Sequence, residues 1–294
     1  MNDPNGKTLS WQYLLTETYR VYGERFGTFF RAALPPAILT YLLHYGEHLL
    51  ILAAMRKNWL SFDSVRNLPL MAALGLIEFG MPWLLSTFFF AVVASQVVGN
   101  QDGNAPSLTN SYRLVRSRAG ALITFGLASC VFTFIMERVI GGLALMTLLD
   151  HLPVRPGYLG VVIPFLLLQV AVAGIISRSG LAVPELMDSP GTSWTQSVRN
   201  SIKGSKGWGV FFMAFVVKSG LLLIAAYWLV GLAFDRLFAR GLMNDAAYPW
   251  IIRAVYIGIA AAVESPLFIA FSVLYRELKL RNTPEWVLAP APIG

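Results

Sequence analysis

Two histidines and two glutamates in the first third of the chain have the residue types and spacing of a metal site. Residues 44–48 read His-Tyr-Gly-Glu-His, the H-x-x-E-H pattern of inverted zinc proteases. On a helix His44 and His48 lie on one face and can bind one metal ion, with Glu47 placed as a base. Glu78, at a similar depth in the next apolar stretch, is the candidate third ligand. Catalytic zinc also needs a water-accessible cavity, so we favour the alternative, a hydrogen-bonded polar cluster between packed helices.

Two opposite charges in the last third of the chain form a second candidate site. Lys218 lies well inside one apolar stretch, and Glu264 lies at a matching depth in the next. Ionisable groups inside a membrane are costly and usually face the bundle interior, so the matching depth predicts an ion pair. This pair either holds two helices together or couples a proton or a substrate to transport. Glu137, beside Arg138 in a third stretch, is expected to extend toward the interface.

Three arginines occupy the same position in three similar short segments. Arg20, Arg113 and Arg199 close the sequences Thr-Glu-Thr-Tyr-Arg, Thr-Asn-Ser-Tyr-Arg and Thr-Gln-Ser-Val-Arg, and a long apolar stretch follows each of them. Guanidinium groups bind phosphate oxygens in a fork geometry, so these arginines are candidates for binding lipid phosphates. The alternative is plain anchoring on the cytoplasmic side. A chance match between short helices is the competing explanation of the similarity.

The composition places all of these residues in an integral membrane protein. Of the 294 residues, 56% are hydrophobic and only 13% are charged, and the mean hydropathy is +0.59; soluble domains are far more polar. The net charge of +7 is typical either of nucleic-acid binding or of basic cytoplasmic loops that contact anionic headgroups, and we favour the second in so apolar a chain. The single cysteine, Cys130, excludes an intrachain disulfide.

The apolar stretches predict an all-α membrane fold with six transmembrane helices arranged as three hairpins. Each stretch is long enough to cross a bilayer core of about 30 Å. An amphipathic interfacial helix is predicted before each hairpin, the first over residues 11–25, the second with Ser107 as its N-cap and the third from residue 192 or 193. The predicted spans cover about residues 32–55, 69–98, 120–149, 158–181, 208–237 and 250–274.

The three similar segments predict a threefold internal repeat within one membrane domain, residues 1–281, followed by a short tail, residues 282–294. The repeats are expected at residues 9–99, 107–182 and 193–281. The side that carries the termini and the amphipathic helices has about twice as many Lys and Arg residues as the opposite side. We therefore expect both termini and all three amphipathic helices to lie in the cytoplasm, with the chain in a bacterial inner membrane.

Several segments resemble a known family of bacterial membrane proteins. They are Leu9-Ser10, Tyr19-Arg20 and Phe26-Gly27, residues 107–118, the Pro-Glu-Leu turn at residue 184 with residues 193–206, and Leu-Tyr-Arg-Glu-Leu at residues 274–278. Together they resemble proteins related to the membrane domain of glycerophosphoryl diester phosphodiesterase. The resemblance implies an integral membrane protein connected with lipids. Only a short tail follows Arg281, so we expect the catalytic barrel of that family to be absent.

The sequence favours a function without catalysis. We expect a scaffold or accessory subunit that binds anionic lipid headgroups and partner transmembrane helices, with no cofactor and no nucleic-acid partner. A small transporter or lipid flippase that uses Lys218 and Glu264 is the first alternative. A metal-dependent membrane hydrolase at His44, Glu47 and His48 is the second.

Overall fold

The computed structural model describes residues 10–56, 68–99, 106–136, 178–189, 191–205, 208–239 and 248–281. Within these ranges the chain forms helices and no strands, which confirms the all-α prediction. The helices are numbered here in chain order. They are α1 (Trp11–Glu24), α2 (Phe26–Arg56), α3 (Leu68–Val98), α4 (Leu108–Ser117), α5 (Ala119–Phe134), α6 (Ala182–Asp188), α7 (Trp194–Gly204), α8 (Gly209–Ala239) and α9 (Tyr248–Arg281).

The three predicted amphipathic segments form helices α1, α4 and α7, and each begins with a serine N-cap. The Ser10 hydroxyl accepts a hydrogen bond from the backbone N–H of Tyr13 at 3.1 Å. Ser107 and Ser193 accept the equivalent bonds at 3.3 Å. Such a cap satisfies one of the backbone donors that the first turn of a helix leaves unpaired. The predicted cap at Ser107 is confirmed, and the third helix begins at Trp194, one residue after the later of its two predicted starts.

Three helices of the described chain are long and apolar enough to cross a membrane. The candidate spans are Phe26–Gly46 in α2, Gly80–Val98 in α3 and Ile251–Leu280 in α9, and a fourth arises if the bent pair α4–α5 is one span. Residues 137–177 and 282–294 lie outside the described residues. They include most of the fourth predicted span and all of the tail. The count of six spans and the threefold repeat therefore stay predictions.

Three prolines lie at different places in their helices from those predicted. The predicted span over residues 32–55 would put Pro35 and Pro36 in its first turns, but α2 begins at Phe26 and both prolines lie well inside it. Pro184 is predicted to lie in a turn, but it lies in the first turn of the helix α6. A proline fits there because the N–H groups of the first turn have no partner within the helix.

Helix α1 lies lengthwise against the second half of α9. The Tyr13 hydroxyl donates to Glu277 at 3.2 Å, and the Tyr22 hydroxyl donates to the Ala262 carbonyl at 2.8 Å. The residue order is reversed between the two contacts, so α1 runs antiparallel to α9. The face of α1 that carries Leu14 and Val21 is buried. This amphipathic helix therefore packs its apolar side on protein.

The core surrounds the C-terminal half of α3. Phe90 stacks on Phe268 of α9, with 4.7 Å between ring centroids, and Phe89 meets the same ring edge-on at 5.4 Å. Helix α6 covers this end of α3, and its side chains from Ala182 to Met187 are all buried. Full burial of a Phe or Leu side chain contributes about 1.5–3 kcal/mol to the free energy of unfolding. The core thus joins α3, α6 and α9 at one end of the bundle.

Gly180, just before α6, gives a test of this packing. A Cβ atom at this position would lie 2.2 Å from Cε1 of the buried Phe271 ring, whereas a Cβ at Gly120 in α5 would meet nothing within 4 Å. We expect Gly180→Ala to lower the thermal unfolding midpoint of the detergent-solubilised protein, since overpacking costs about 1–3 kcal/mol. The control Gly120→Ala should leave the midpoint unchanged or raise it. Equal midpoints for the two variants would contradict this account.

Candidate functional site

Helices α4 and α5 meet at an angle of 74°, and they differ in surface chemistry. The exposed side of α5 carries Ile123, Leu127 and Val131, spaced four residues apart. Residues at this spacing form one stripe along a helix. Its opposite side, which includes Leu122 and Phe125, is buried in the protein. Helix α5 therefore presents an apolar outer stripe, as a helix in contact with lipid does.

The outer side of α4 is cationic. Arg113 and Arg116 are exposed, while Ser111 and Val115 are buried on the inner side. The side-chain amide of Gln96 in α3 holds this inner side by donating to the Ser111 hydroxyl at 2.6 Å and to the Pro106 carbonyl at 2.7 Å. These two hydrogen bonds fix the start of α4 on the end of α3. The rotation that buries Ser111 turns the two arginines outward.

The same arrangement, a buried hydroxyl residue and an exposed arginine, recurs in all three segments with the arginine motif. The central hydroxyl residue of each, Thr18, Ser111 and Ser197, is buried. The arginine two positions later is exposed in each case. A small hydroxyl side chain lets a helix approach its neighbour closely, whereas an arginine extends into polar surroundings. The arginines stand out in the sequence, whereas the hydroxyl residue, which is the one buried against the protein, was not predicted to be buried.

Arg20 differs from the other two motif arginines in its charge environment. It forms ion pairs with Glu17 at 2.7 Å and with Glu24 at 2.6 Å, both within α1. Hydrogen bonding to Arg20 holds the pKa of Glu17 below its usual value, although partial burial opposes this shift. Among the described residues, Arg113 and Arg199 have no such ion pair. The two available phosphate-binding candidates are therefore on α4 and α7.

The last turns of α9 form a polar cluster that contacts helices on two sides. On the α1 side, Arg276 donates to Glu17 at 2.9 Å. On the α6 side, Asp188 accepts hydrogen bonds from the Tyr275 hydroxyl at 2.8 Å and from the Lys279 ammonium. None of these pairings was predicted from the sequence. Most of these contacts join opposite charges on different helices, which is typical of a structural connection between helices.

Glu185 is buried in the short helix α6. The side-chain amide of Asn200 in α7 donates to its Oε1 atom at 2.6 Å. Burial raises the pKa of Glu185 to about 7, the Asn200 hydrogen bond opposes this shift, and the nearby Asp188 charge adds to it. The sequence predicts a turn at this position. The available signal was the apolar run on both sides of the glutamate, which is typical of a buried segment.

The proposed metal ligands are only partly described. His44 is exposed, and its Nδ1 atom donates to the Thr40 carbonyl at 2.9 Å. Its other ring nitrogen, Nε2, is therefore the one with a lone pair for a metal ion. The side chains of Glu47, His48 and Glu78 lie outside the described residues, although their backbones are helical. No group of three potential metal-binding side chains occurs in the part of the chain that the structure describes. The metal site stays a prediction.

The structure gives Lys218 a different neighbour from the predicted one. Its ammonium lies 5.4 Å from the centroid of the Tyr19 ring, within the range of a cation–π contact. No ion pair with Glu264 is present among the described side chains. Glu264 is half-buried in α9. Glu137 lies outside the described residues.

The hydrogen-bond ladder of α9 is interrupted close to Glu264. Pro266 has no N–H group, so the carbonyl four residues earlier, that of Ala262, lacks its usual partner within the helix. The Tyr22 hydroxyl from α1 donates to this carbonyl at 2.8 Å. A tertiary hydrogen bond thus replaces the one that the proline removes.

Comparison of the chain with protein-family models, curated proteins and solved structures gives no match. The resemblance to the membrane domain of glycerophosphoryl diester phosphodiesterase accordingly stays a prediction. Function has to be inferred from the geometry described above.

The buried carboxyl of Glu185 predicts a pH-dependent stability. Its pKa is about 7 in the folded state against 4.5 for the free side chain, so the folded state binds the proton more tightly. The free energy of unfolding should therefore fall as pH rises between these values, by up to ~1.4 kcal/mol per pH unit. Glu185→Gln keeps an acceptor for Asn200 and removes the titration. We expect it to raise the unfolding midpoint at about pH 8 and to flatten the midpoint's pH dependence.

The matched control for this experiment is Glu24→Gln, which changes an exposed carboxylate and should leave the pH profile unaltered. A wild-type midpoint that stays constant from about pH 5 to about pH 8 would contradict the assignment to Glu185.

The contact between Tyr22 and Ala262 can be tested with a double-mutant cycle. Tyr22→Phe leaves the Ala262 carbonyl without a partner, and we expect a loss of about 1–3 kcal/mol in the free energy of unfolding. Pro266→Ala restores a backbone N–H to α9, so Tyr22→Phe should be less harmful in that background. If the two substitutions change the free energy of unfolding additively, the hydroxyl does not compensate for the proline.

Proposed function

We propose that this chain is a multi-pass protein of the bacterial inner membrane that binds anionic phospholipid headgroups through helix α4. It would act as a non-catalytic scaffold or accessory subunit. The observation that carries the proposal is the 74° angle between α5, with its apolar outer stripe, and α4, with its exposed arginines.

The angle matters because of the way helices sit in a bilayer. A helix with a lipid-facing stripe crosses the membrane at a modest tilt, about 20° on average. If α5 does so, a helix at 74° to it lies close to the membrane plane. Arg113 and Arg116 would then meet the headgroup layer, and guanidinium groups there bind phosphate oxygens in pairs. The exposed Tyr112 and Leu114 of α4 suit the boundary between headgroups and acyl chains.

Helix α7 supplies a second cationic surface of the same design. Arg199 and Lys203 are exposed, Ser197 and Ser201 are buried, and the helix packs against α5 and α6. Clustered basic residues are typical of the cytoplasmic side of a membrane protein. We therefore assign α4 and α7, and with them both termini, to the cytoplasmic side.

The polar clusters support a role without catalysis. The side chains at the end of α9 that carry opposite charges bind each other, as Arg276 binds Glu17 and Lys279 binds Asp188. Pairs of this kind join helices. The strongly exposed apolar side chains of α8, which include Leu221 and Trp228, suit contact with lipid or with the transmembrane helices of a partner.

A small transporter or flippase is the second candidate function. It is favoured by one observation, the half-buried Glu264 beside the interrupted hydrogen-bond ladder of α9. Irregular backbone and ionisable side chains within a span often mark a transport pathway.

Lipid binding by α4 can be measured by native mass spectrometry of the protein extracted in mild detergent. We expect the variant Arg113→Gln/Arg116→Gln to retain less phosphatidylglycerol than the wild type. Each basic residue near an anionic surface contributes about 1 kcal/mol, so affinity should fall about fivefold per arginine. Retention of zwitterionic phosphatidylcholine should not change.

Arg20→Gln is the matched control, because the glutamates of α1 already balance the charge of Arg20. It should alter phosphatidylglycerol retention little. An equal loss in the control and in the α4 variant would refute specific binding by α4. Unchanged retention in both would refute the proposed lipid site altogether.

A further inference from the structure

Glu264 lies at the centre of the longest candidate span. The span Ile251–Leu280 has 30 residues, so Glu264 is about 20 Å from its start and about 24 Å from its end at 1.5 Å per residue. A carboxylate at such a depth is expensive unless a cation or several hydrogen-bond donors stabilise it.

The hydroxyl groups nearest in sequence or along α1 are already used. Ser265 donates to the Ala261 carbonyl at 3.1 Å, and Tyr22 donates to the Ala262 carbonyl at 2.8 Å. Neither proton is therefore offered to Glu264. Among the described residues, no hydrogen bond or ion pair reaches the Glu264 carboxyl.

The charged groups that the structure describes on the helices around α9 are directed away from Glu264. Helix α3 has no titratable residue within Gly80–Val98. Lys218 of α8 lies over the Tyr19 ring of α1. The Tyr41 and Tyr45 rings of α2 lie under Arg253, near the start of α9.

The remaining described charged groups that follow are exposed or bound to partners other than Glu264. Arg31 of α2 is exposed. On α1, Glu17 binds Arg276 and Arg20, and Arg25 donates to the Gln96 carbonyl at 3.3 Å. On α6, Asp188 binds the last turns of α9. Among the described titratable side chains, Tyr22 contacts α9 nearest to Glu264. Its hydroxyl is already bound to the Ala262 carbonyl.

We propose that Glu264 is an intramembrane proton-binding site, a carboxyl that takes up and releases one proton at the centre of α9. The described residues offer this carboxyl neither a counter-charge nor a hydrogen-bond donor, and such surroundings stabilise the neutral acid. Glu264 is half-buried and not fully enclosed, so protons can exchange with it. This property goes beyond lipid binding by α4 and does not depend on it.

The test uses the full chain in detergent and the apolar reagent dicyclohexylcarbodiimide, which adds to protonated carboxyl groups. The carboxyl oxygen attacks the central carbon of the reagent, its proton moves to a reagent nitrogen, and an acyl shift gives a stable N-acylurea where water is scarce. We expect peptide mapping to find the adduct on Glu264. Its yield should fall at least about fivefold from about pH 6 to about pH 9, as the proton is released.

Two controls make the result specific. Glu264→Gln should lose the adduct, and Glu24→Gln, which changes an exposed carboxylate, should retain it. An unmodified Glu264 at about pH 6, or a yield independent of pH, would overturn the proposal. Protection by sodium ions at constant pH would also overturn it, in favour of a metal cation as the ligand. Because the wild-type pH profile is itself decisive, the proposal remains testable if Glu264→Gln fails to fold.

Discussion

Polar groups that leave water need partners inside the protein, and α9 carries this constraint for much of the described fold. Its last turns lie between α1 and α6, where Arg276 binds Glu17 and Lys279 binds Asp188. Arg276, Glu17 and Asp188 are largely removed from water, and their pairing offsets the cost of burying charge. Helices α1 and α6 are therefore held to α9 by charge pairing as well as by the apolar core around α3.

The three motif helices solve a related problem, which is how to place a cation at the edge of an apolar bundle. The central Thr or Ser is small enough to be buried, and the arginine two residues later then points away from the core because successive helix positions are about 100° apart. Ser111 shows the arrangement most fully, since Gln96 binds it from α3. In α1 the arginine is neutralised by glutamates, so the same helical design serves protein contact there and, by our proposal, lipid contact in α4.

The polar groups at the C-terminal end of α9 and those at its centre differ in whether they have partners. Near Arg281 each described carboxylate partner has a cation or a hydroxyl beside it, as Asp188 has Tyr275 and Lys279. At the centre, Pro266 removes a backbone donor and Tyr22 compensates for it, so the hydroxyl is unavailable to Glu264. A paired cluster stabilises a structure, whereas an ionisable group inside a span that has no partner among the described residues is a candidate for function.

The sequence by itself determined the helical class, the apolar segments and the starts of the amphipathic helices, because periodicity and serine caps act over a few residues. It also placed Lys218 and Glu264 at matching depths, since depth follows from counting along a helix. Only the tertiary structure decided which side chains meet: Lys218 lies over Tyr19, Arg20 binds Glu17, and α6 is buried with Glu185 inside. These outcomes depend on the rotation of each helix and on its neighbours, which are set by packing between segments distant in the chain.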